Sequence, residues 1–290
     1  MKALLASVIG FAGASMYQSG AQVQAWGSKP AFSQEKFQQY KLIHVDNESH
    51  NTKRFRFALA SSKTRLGLPV ASCITLRYTD AQGNEVMRPY TPINLTDEEG
   101  HFDLVVKCYP NSKMGSHLFS LKVGDSIDVK GPWHTFEVKP GQFTNIGMIA
   151  GGTGLTPMFQ IVNNVLHAPN NTTRISLLYS NKTEGDILLA KELADLSKEH
   201  PGKFVAYHCL TKPPKRWTGY SGHIDKAMIK ETMPAPEQQQ QKSCVLVSGP
   251  PPFMETICGP KDYTSSPPKQ GPLRGYLKEM GYTESGVFKF

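Results

Sequence analysis

Charged and apolar positions alternate with period two in Arg54-Phe-Arg-Phe-Ala-Leu59, and residues 74–78 repeat the alternation. Such a pattern predicts strands with one face in a core and the other in water. Phe102-Asp-Leu-Val-Val-Lys-Cys108 reads as another strand, leading back from a turn at Glu98-Glu-Gly100. Residues 113–121 read as a short helix, and Asp128-Val-Lys-Gly-Pro132 as a last strand and its turn. A small antiparallel barrel is the closure these short strands predict. After Pro140 the rhythm changes. Apolar runs at 146–150, 175–179, 204–209 and 244–247 alternate with helix-period segments at 158–166 and 188–196. That alternation predicts a parallel sheet with packed helices. The Pro- and Gln-rich stretch 233–241 and the stretch 259–270 are expected to be surface loops. The predicted fold is therefore a two-domain β plus α/β chain: an antiparallel barrel at 34–139, then a parallel-sheet α/β domain at 140–290.

The first 33 residues follow neither rhythm. Residues 3–28 carry no charge, but only the fifteen positions 3–17 are mainly apolar. As a helix these would span about 22 Å, short of the ~30 Å hydrocarbon core. Extension to Val23 would reach across and would bury Gln18, Ser19 and Gln22. A signal peptide with Lys2 as its basic start is the competing reading. The five cysteines argue against it, being odd in number, scattered and without Cys-x-x-Cys or zinc spacing. They indicate a reduced, intracellular chain without structural metal. An uncleaved membrane anchor is therefore expected, followed by a tether at 24–33.

Two short motifs carry the chemistry. Arg88-Pro-Tyr-Thr-Pro92 sets a cation, a ring and a hydroxyl in a row stiffened by two prolines. This suits an anionic, planar, hydrogen-bonding ligand such as a flavin nucleotide, and alone it equally suits the end of an edge strand. Gly151-Gly-Thr-Gly-Leu-Thr-Pro157 lies between a predicted strand and a predicted helix, where free backbone N–H groups bind phosphate. Alone it is a tight turn of the kind many α/β units use, and it is not the dinucleotide fingerprint with its following acid. Their order, with Cys244-Val-Leu-Val-Ser-Gly-Pro-Pro-Pro-Phe-Met254 as a third strand-to-helix turn, joins them into one reading.

In that order the motifs resemble the NADH–cytochrome b5 reductases, within the wider ferredoxin–NADP reductase-like flavoproteins. The resemblance covers residues 37–290. The closing Gly271-Pro-Leu-Arg-Gly-Tyr-Leu-Lys-Glu-Met-Gly-Tyr282 and Val287-Phe-Lys-Phe290 are similar to the fungal mitochondrial branch. The resemblance implies FAD and NADH as cofactors. It implies Arg88 at the FAD pyrophosphate, Pro89 and Tyr90 along the flavin ring, and the Thr91 hydroxyl near flavin N5. Lys107, Tyr109, Lys113, Met114, Gly115 and Ser116 correspond to the second FAD segment, with Gly115 standing where serine is usual. Thr156 starts the helix beside the flavin. Gly151, Gly152, Thr153 and Gly154 would admit the dinucleotide, Asn181, Thr183 and Glu184 its adenosine end, and Gly249, Pro250 and Pro251 the nicotinamide. Ser248 replaces the usual cysteine, which implies slower hydride transfer rather than none.

Nucleotide choice is where the chain departs further. Relatives place an acid after the tryptophan of this region, and here Trp217 is followed by Thr218, with Lys182, Lys215 and Arg216 as nearby cations. NADH is expected as the preferred donor, with appreciable use of NADPH. The net charge of +8 admits nucleic acid, acidic lipid or an acidic protein. No basic block with interleaved aromatics supports nucleic acid, and the spread of lysines and arginines equally fits a solvated surface. The resemblance supplies cytochrome b5, an acidic haem protein, as partner. It also implies a membrane site, the mitochondrial outer membrane before the endoplasmic reticulum. His208 and His223 are expected to be structural, since no acid or nucleophile is needed. The rival readings are a reductase of the same fold feeding a quinone or other acceptor, and a redox-inactive membrane adaptor. Arg88, Tyr90, Thr91 and the Gly151 turn count against the adaptor.

Overall fold

The computed structural model describes residues 30–139, 141–237, 242–265 and 267–290. The anchor and most of the tether expected at 1–33 lie outside the described residues, as does the 238–241 part of the first surface loop.

The first half is a six-stranded antiparallel sheet in the order β4-β3-β6-β1-β2-β5. The strands are β1 (Gln38–Ser49), β2 (Thr52–Ala58), β3 (Ser72–Thr79), β4 (Glu85–Tyr90), β5 (His101–Lys107) and β6 (Ser126–His134). Alternate residues of all six meet in one core, among them Leu42, Phe57, Leu76, Val86, Leu104 and Val129. Because the edge strands β4 and β5 share that core, the sheet curls into the predicted barrel. Helix α1 (Lys113–Ser120) closes one end with Met114 and Leu118. Burying a Phe or Leu side chain fully is worth about 1.5–3 kcal/mol, and Phe55, Phe57 and Phe102 are all buried. The last residues of the expected tether belong to this core. Phe32 is buried with its ring 5.3 Å from Tyr40 and 5.2 Å from Phe102, and Ser33 O accepts from Gly131 N–H.

The second half is a six-stranded parallel sheet in the order β10-β9-β8-β7-β11-β12. Its strands are β7 (Asn145–Gly151), β8 (Arg174–Asn181), β9 (Phe204–Leu210), β10 (Tyr220–Ser221), β11 (Ser243–Ser248) and β12 (Val287–Lys289). Helices α2 (Leu155–His167), α3 (Ala190–Glu199), α4 (Lys226–Thr232), α5 (Pro251–Ile257) and α6 (Gly275–Glu279) complete it. From β7 the chain crosses through α2 to β8 on one side, while β11 pairs with β7 on the other. Strand order thus reverses about β7. In open α/β sheets ligands collect at the carboxyl ends of the strands flanking such a reversal. Gly151 ends β7 and Ser248 ends β11.

Candidate nucleotide cleft

Gly152, φ +53°, turns the chain from β7 into a short 3₁₀ segment and then α2. A Cβ on Gly154 would lie 2.2 Å from Ser248 O, and one on Gly249 would lie 2.5 Å from the Phe253 ring. The turns after β7 and β11 are therefore pressed together, and only glycine permits it. The buried Tyr179 hydroxyl donates to Gly152 O at 2.9 Å and fixes the turn from the β8 side. Thr156 Oγ1 donates back to Thr153 O at 3.2 Å. Pro250 and Pro251 stand exposed at the start of α5, and Ser248 is buried beneath them.

The barrel faces this turn. The Tyr109 hydroxyl lies 3.3 Å from Thr153 Oγ1. Lys107, the last residue of β5, reaches Asp186 at 3.3 Å, where both side chains are largely buried. Burial raises the Asp186 carboxyl, but bonds from Thr183 and the Lys107 ammonium outweigh it and hold the group below its ordinary value. The second half of the cleft is thus tied to the first through two of the expected site residues, Lys107 and Thr183.

Arg88-Pro-Tyr-Thr-Pro92 closes the edge strand β4, as the strand-end reading of the motif expects. An edge position tolerates Pro89, whose missing N–H no neighbour needs. Arg88 is exposed, donates from Nη1 to Met87 O at 2.7 Å, and has no carboxylate partner among the described residues. The surface ion pair that would give Arg88 a purely structural role is therefore not formed. Tyr90 is half-buried, and burial pushes its phenol up to about 12 against the pull of Arg88.

Gly115 has a local cause. Ser112 caps α1 by accepting from Gly115 N–H at 3.1 Å, and a Cβ on Gly115 would meet Ser112 Oγ at 2.7 Å. An added side chain there would crowd the Ser112 hydroxyl that caps the helix. Ser116 is exposed and lines an open cavity of about 570 Å³ with Tyr78, Asp80, Lys113 and His117. Lys113 pairs with Asp80 at 3.3 Å, and the His117 ring stacks on Tyr78 at 3.9 Å. The Met114 side chain packs in the barrel core.

At the far edge, Asn181 is buried with Nδ2 unpaired among the described residues. Lys212 N–H donates to Lys182 O at 2.8 Å, which sets two exposed lysines side by side where β8 and β9 end. Thr218, Lys215, Arg216 and Glu184 are exposed nearby in the chain. Thr218 lies beyond β9, two strands from the Gly151 turn. The sequence did not single out Tyr179, Asp186 or Phe253, whose roles depend on distant partners. His208 sits in β9 with burial lowering its pKa. Among the described residues no helix is long and apolar enough to cross a membrane.

A backbone cradle that a Cβ would fill, an unpaired buried amide and an arginine without an acid all fit a phosphate-linked dinucleotide and a second anionic cofactor. The comparisons agree. Residues 39–138 match the oxidoreductase FAD-binding domain family and residues 148–259 the oxidoreductase NAD-binding domain family. The cytochrome b5 reductase domain of Ulva prolifera nitrate reductase superposes with a TM-score of 0.77 at 33% identity, covering 90% of this chain and 100% of that one. NADH-cytochrome b5 reductase 2-A of Vanderwaltozyma polyspora is 41% identical over 274 residues, 94% of this chain and 90% of the relative. NADH-cytochrome b5 reductase 2 of Aspergillus clavatus is 42% identical over 250 residues, 86% of this chain and 76% of the relative. Identity at this level, sustained through both halves of the cleft, places the chain in the NADH–cytochrome b5 reductase family.

Proposed function

We propose that the chain uses FAD to pass electrons from NADH, one at a time, to cytochrome b5 or a similar acidic haem protein. The observation that carries this is the meeting of Tyr109 on the barrel with Thr153 on the nucleotide turn at 3.3 Å, which brings the second expected FAD segment against the expected dinucleotide turn. When bound, FAD would supply the chemistry, accepting two electrons together and releasing them singly. The chain's own part is placement. Arg88 would hold the FAD pyrophosphate with its forked guanidinium, and Tyr90 and Thr91 would meet the ring. The Gly151–Gly154 backbone would take the dinucleotide phosphates, and the Ser248–Pro251 turn would border the nicotinamide. Lys182 and Lys212 at the adenosine edge favour appreciable use of NADPH beside NADH. Stopped-flow mixing with NADH, then with cytochrome b5, tests the reading: flavin bleaching must precede haem reduction, and a bleached flavin that leaves the haem oxidised defeats it.

For residues 1–29 we propose a membrane anchor, in the mitochondrial outer membrane before the endoplasmic reticulum. The uncharged stretch at 3–28 supports it. Truncation after residue 29, which spares Phe32, should give soluble enzyme with unchanged ferricyanide reduction. A full-length chain released from membranes by alkaline extraction would count against the anchor.

A further inference from the structure

Helix α2, which begins at the nucleotide turn, is fastened to the barrel by a buried carboxamide. Gln160 is 1% exposed. Its Oε1 accepts from Ser72 N–H at 2.9 Å, and its Nε2 donates to Ser72 O at 3.2 Å and to Pro92 O at 2.9 Å. The partners fix the orientation of the amide, since a backbone N–H only donates and a carbonyl only accepts. Strands β3 and β4 pair through Ile74 and Tyr90, and two more steps of that register set Ser72 opposite Pro92. The ladder ends at the Ile74–Tyr90 pair, and Pro92 has no N–H with which to resume it. The Gln160 amide stands in for the missing peptide group and bridges the two chains. One helical turn on, Asn164 accepts from Thr96 N–H at 2.9 Å and donates to Gln160 O at 2.8 Å. Residues at i and i+4 share a helix face, so one face of α2 holds the segment that follows Tyr90 and Thr91 at two points.

We propose that Gln160, supported by Asn164, is a positioning residue that sets the gap between Tyr90-Thr91 and the Gly151–Gly154 turn, and so the rate of flavin reduction by NADH. The proposal rests on the reductase reading above. Pro92 directly follows Thr91, and Gln160 lies five residues into α2, about 7.5 Å along a stiff helix. A shift at the joint therefore reaches the turn undamped. The step concerned moves one hydrogen nucleus with two electrons from the dihydronicotinamide to the flavin, leaving NAD⁺, and such transfers tolerate little misplacement.

Gln160→Met keeps the length of the side chain and removes all three bonds. In the FAD-loaded full-length protein, amide exchange at Ser72 should quicken. The limiting rate of flavin reduction should fall about ten- to a hundredfold with a changed primary deuterium isotope effect from 4-deuterated NADH. FAD should be retained, and the Kd for NAD⁺ should stay within about twofold, separating positioning from binding. Flavin reduction within about twofold of wild type despite faster Ser72 exchange would overturn the proposal, as would a rate loss matched by weaker NAD⁺ binding. If Gln160→Met yields no folded protein, Asn164→Ala carries the test, with the same split expected at about threefold and no change in rate overturning it. A wild type that NADH does not reduce defeats the reductase reading and this proposal together, whereas a reducible wild type with an unaffected variant defeats only this one.

Discussion

The two walls of the cleft are built from different material. The α/β wall is backbone: Gly154 against Ser248 O, Gly249 against the Phe253 ring, and Gly152 O held by Tyr179. The barrel wall is side chain: Arg88 free of any carboxylate among the described residues, Tyr109 46% exposed, and Lys113 lining the open cavity beside Asp80. A backbone wall takes its shape from the fold and leaves no slack for an added atom. A side-chain wall can lose one member and keep its shape. Injury to the first should therefore be sharp and confined to the nicotinamide nucleotide, and injury to the second graded and confined to the flavin.

Gly154→Ala tests the sharp side. Its Cβ cannot coexist with Ser248 O at 2.2 Å, so the turn or the end of β11 must move. A displacement of about 1 Å is enough for a loss of roughly a hundredfold in kcat/KM for NADH. Bound FAD should remain, and NADH titration of the yellow protein reads both. Equal loss of FAD would show that the walls are not independent.

Arg88→Ala tests the graded side. A charge-assisted hydrogen bond to phosphate is worth about 1.5–3 kcal/mol, so FAD should dissociate on dialysis from a protein that keeps its melting profile in the apo form. A variant still yellow after extensive dialysis would remove Arg88 from the flavin site.

The smallest effect is expected at the outer rim, where neither wall closes. Thr218→Asp places an exposed carboxylate six residues along the chain from Lys212 without touching either turn. One exposed charge contact is worth up to about 1 kcal/mol, roughly fivefold in the NADH-to-NADPH ratio of kcat/KM. The ratio should rise toward NADH at low salt, where screening is least. No change in the ratio would mean that position 218 does not face a 2′-phosphate.

What the sequence disclosed follows the same division. The motifs of the backbone wall stand out because Gly and Pro have few other reasons to cluster after an apolar strand. Strand and helix order in the second half was readable because strands such as β7 are buried almost throughout. Strand β1 was not, since few of the positions in Gln-Gln-Tyr-Lys-Leu-Ile-His-Val-Asp-Asn-Glu-Ser are buried and its alternation is faint. The two-residue β10 and the three-residue β12 are too short to carry a period. Gln160 reads locally as a polar flaw in an apolar helix, because its partners lie 88 and 68 residues away. Gly115 has a partner three residues upstream, the Ser112 cap, whose hydroxyl an added Cβ would crowd.

The reversal of strand order about β7 also bears on the fate of incomplete chains. Strand β11, which covers one edge of β7, arrives about a hundred residues after it, pairing Ser243 with Asn145. A product cut short before Ser243 would hold a finished barrel beside a half-sheet whose apolar central strand is left as a bare edge. Such edges recruit other chains, so truncated copies should leave solution as aggregates instead of lingering as partly active, flavin-holding fragments.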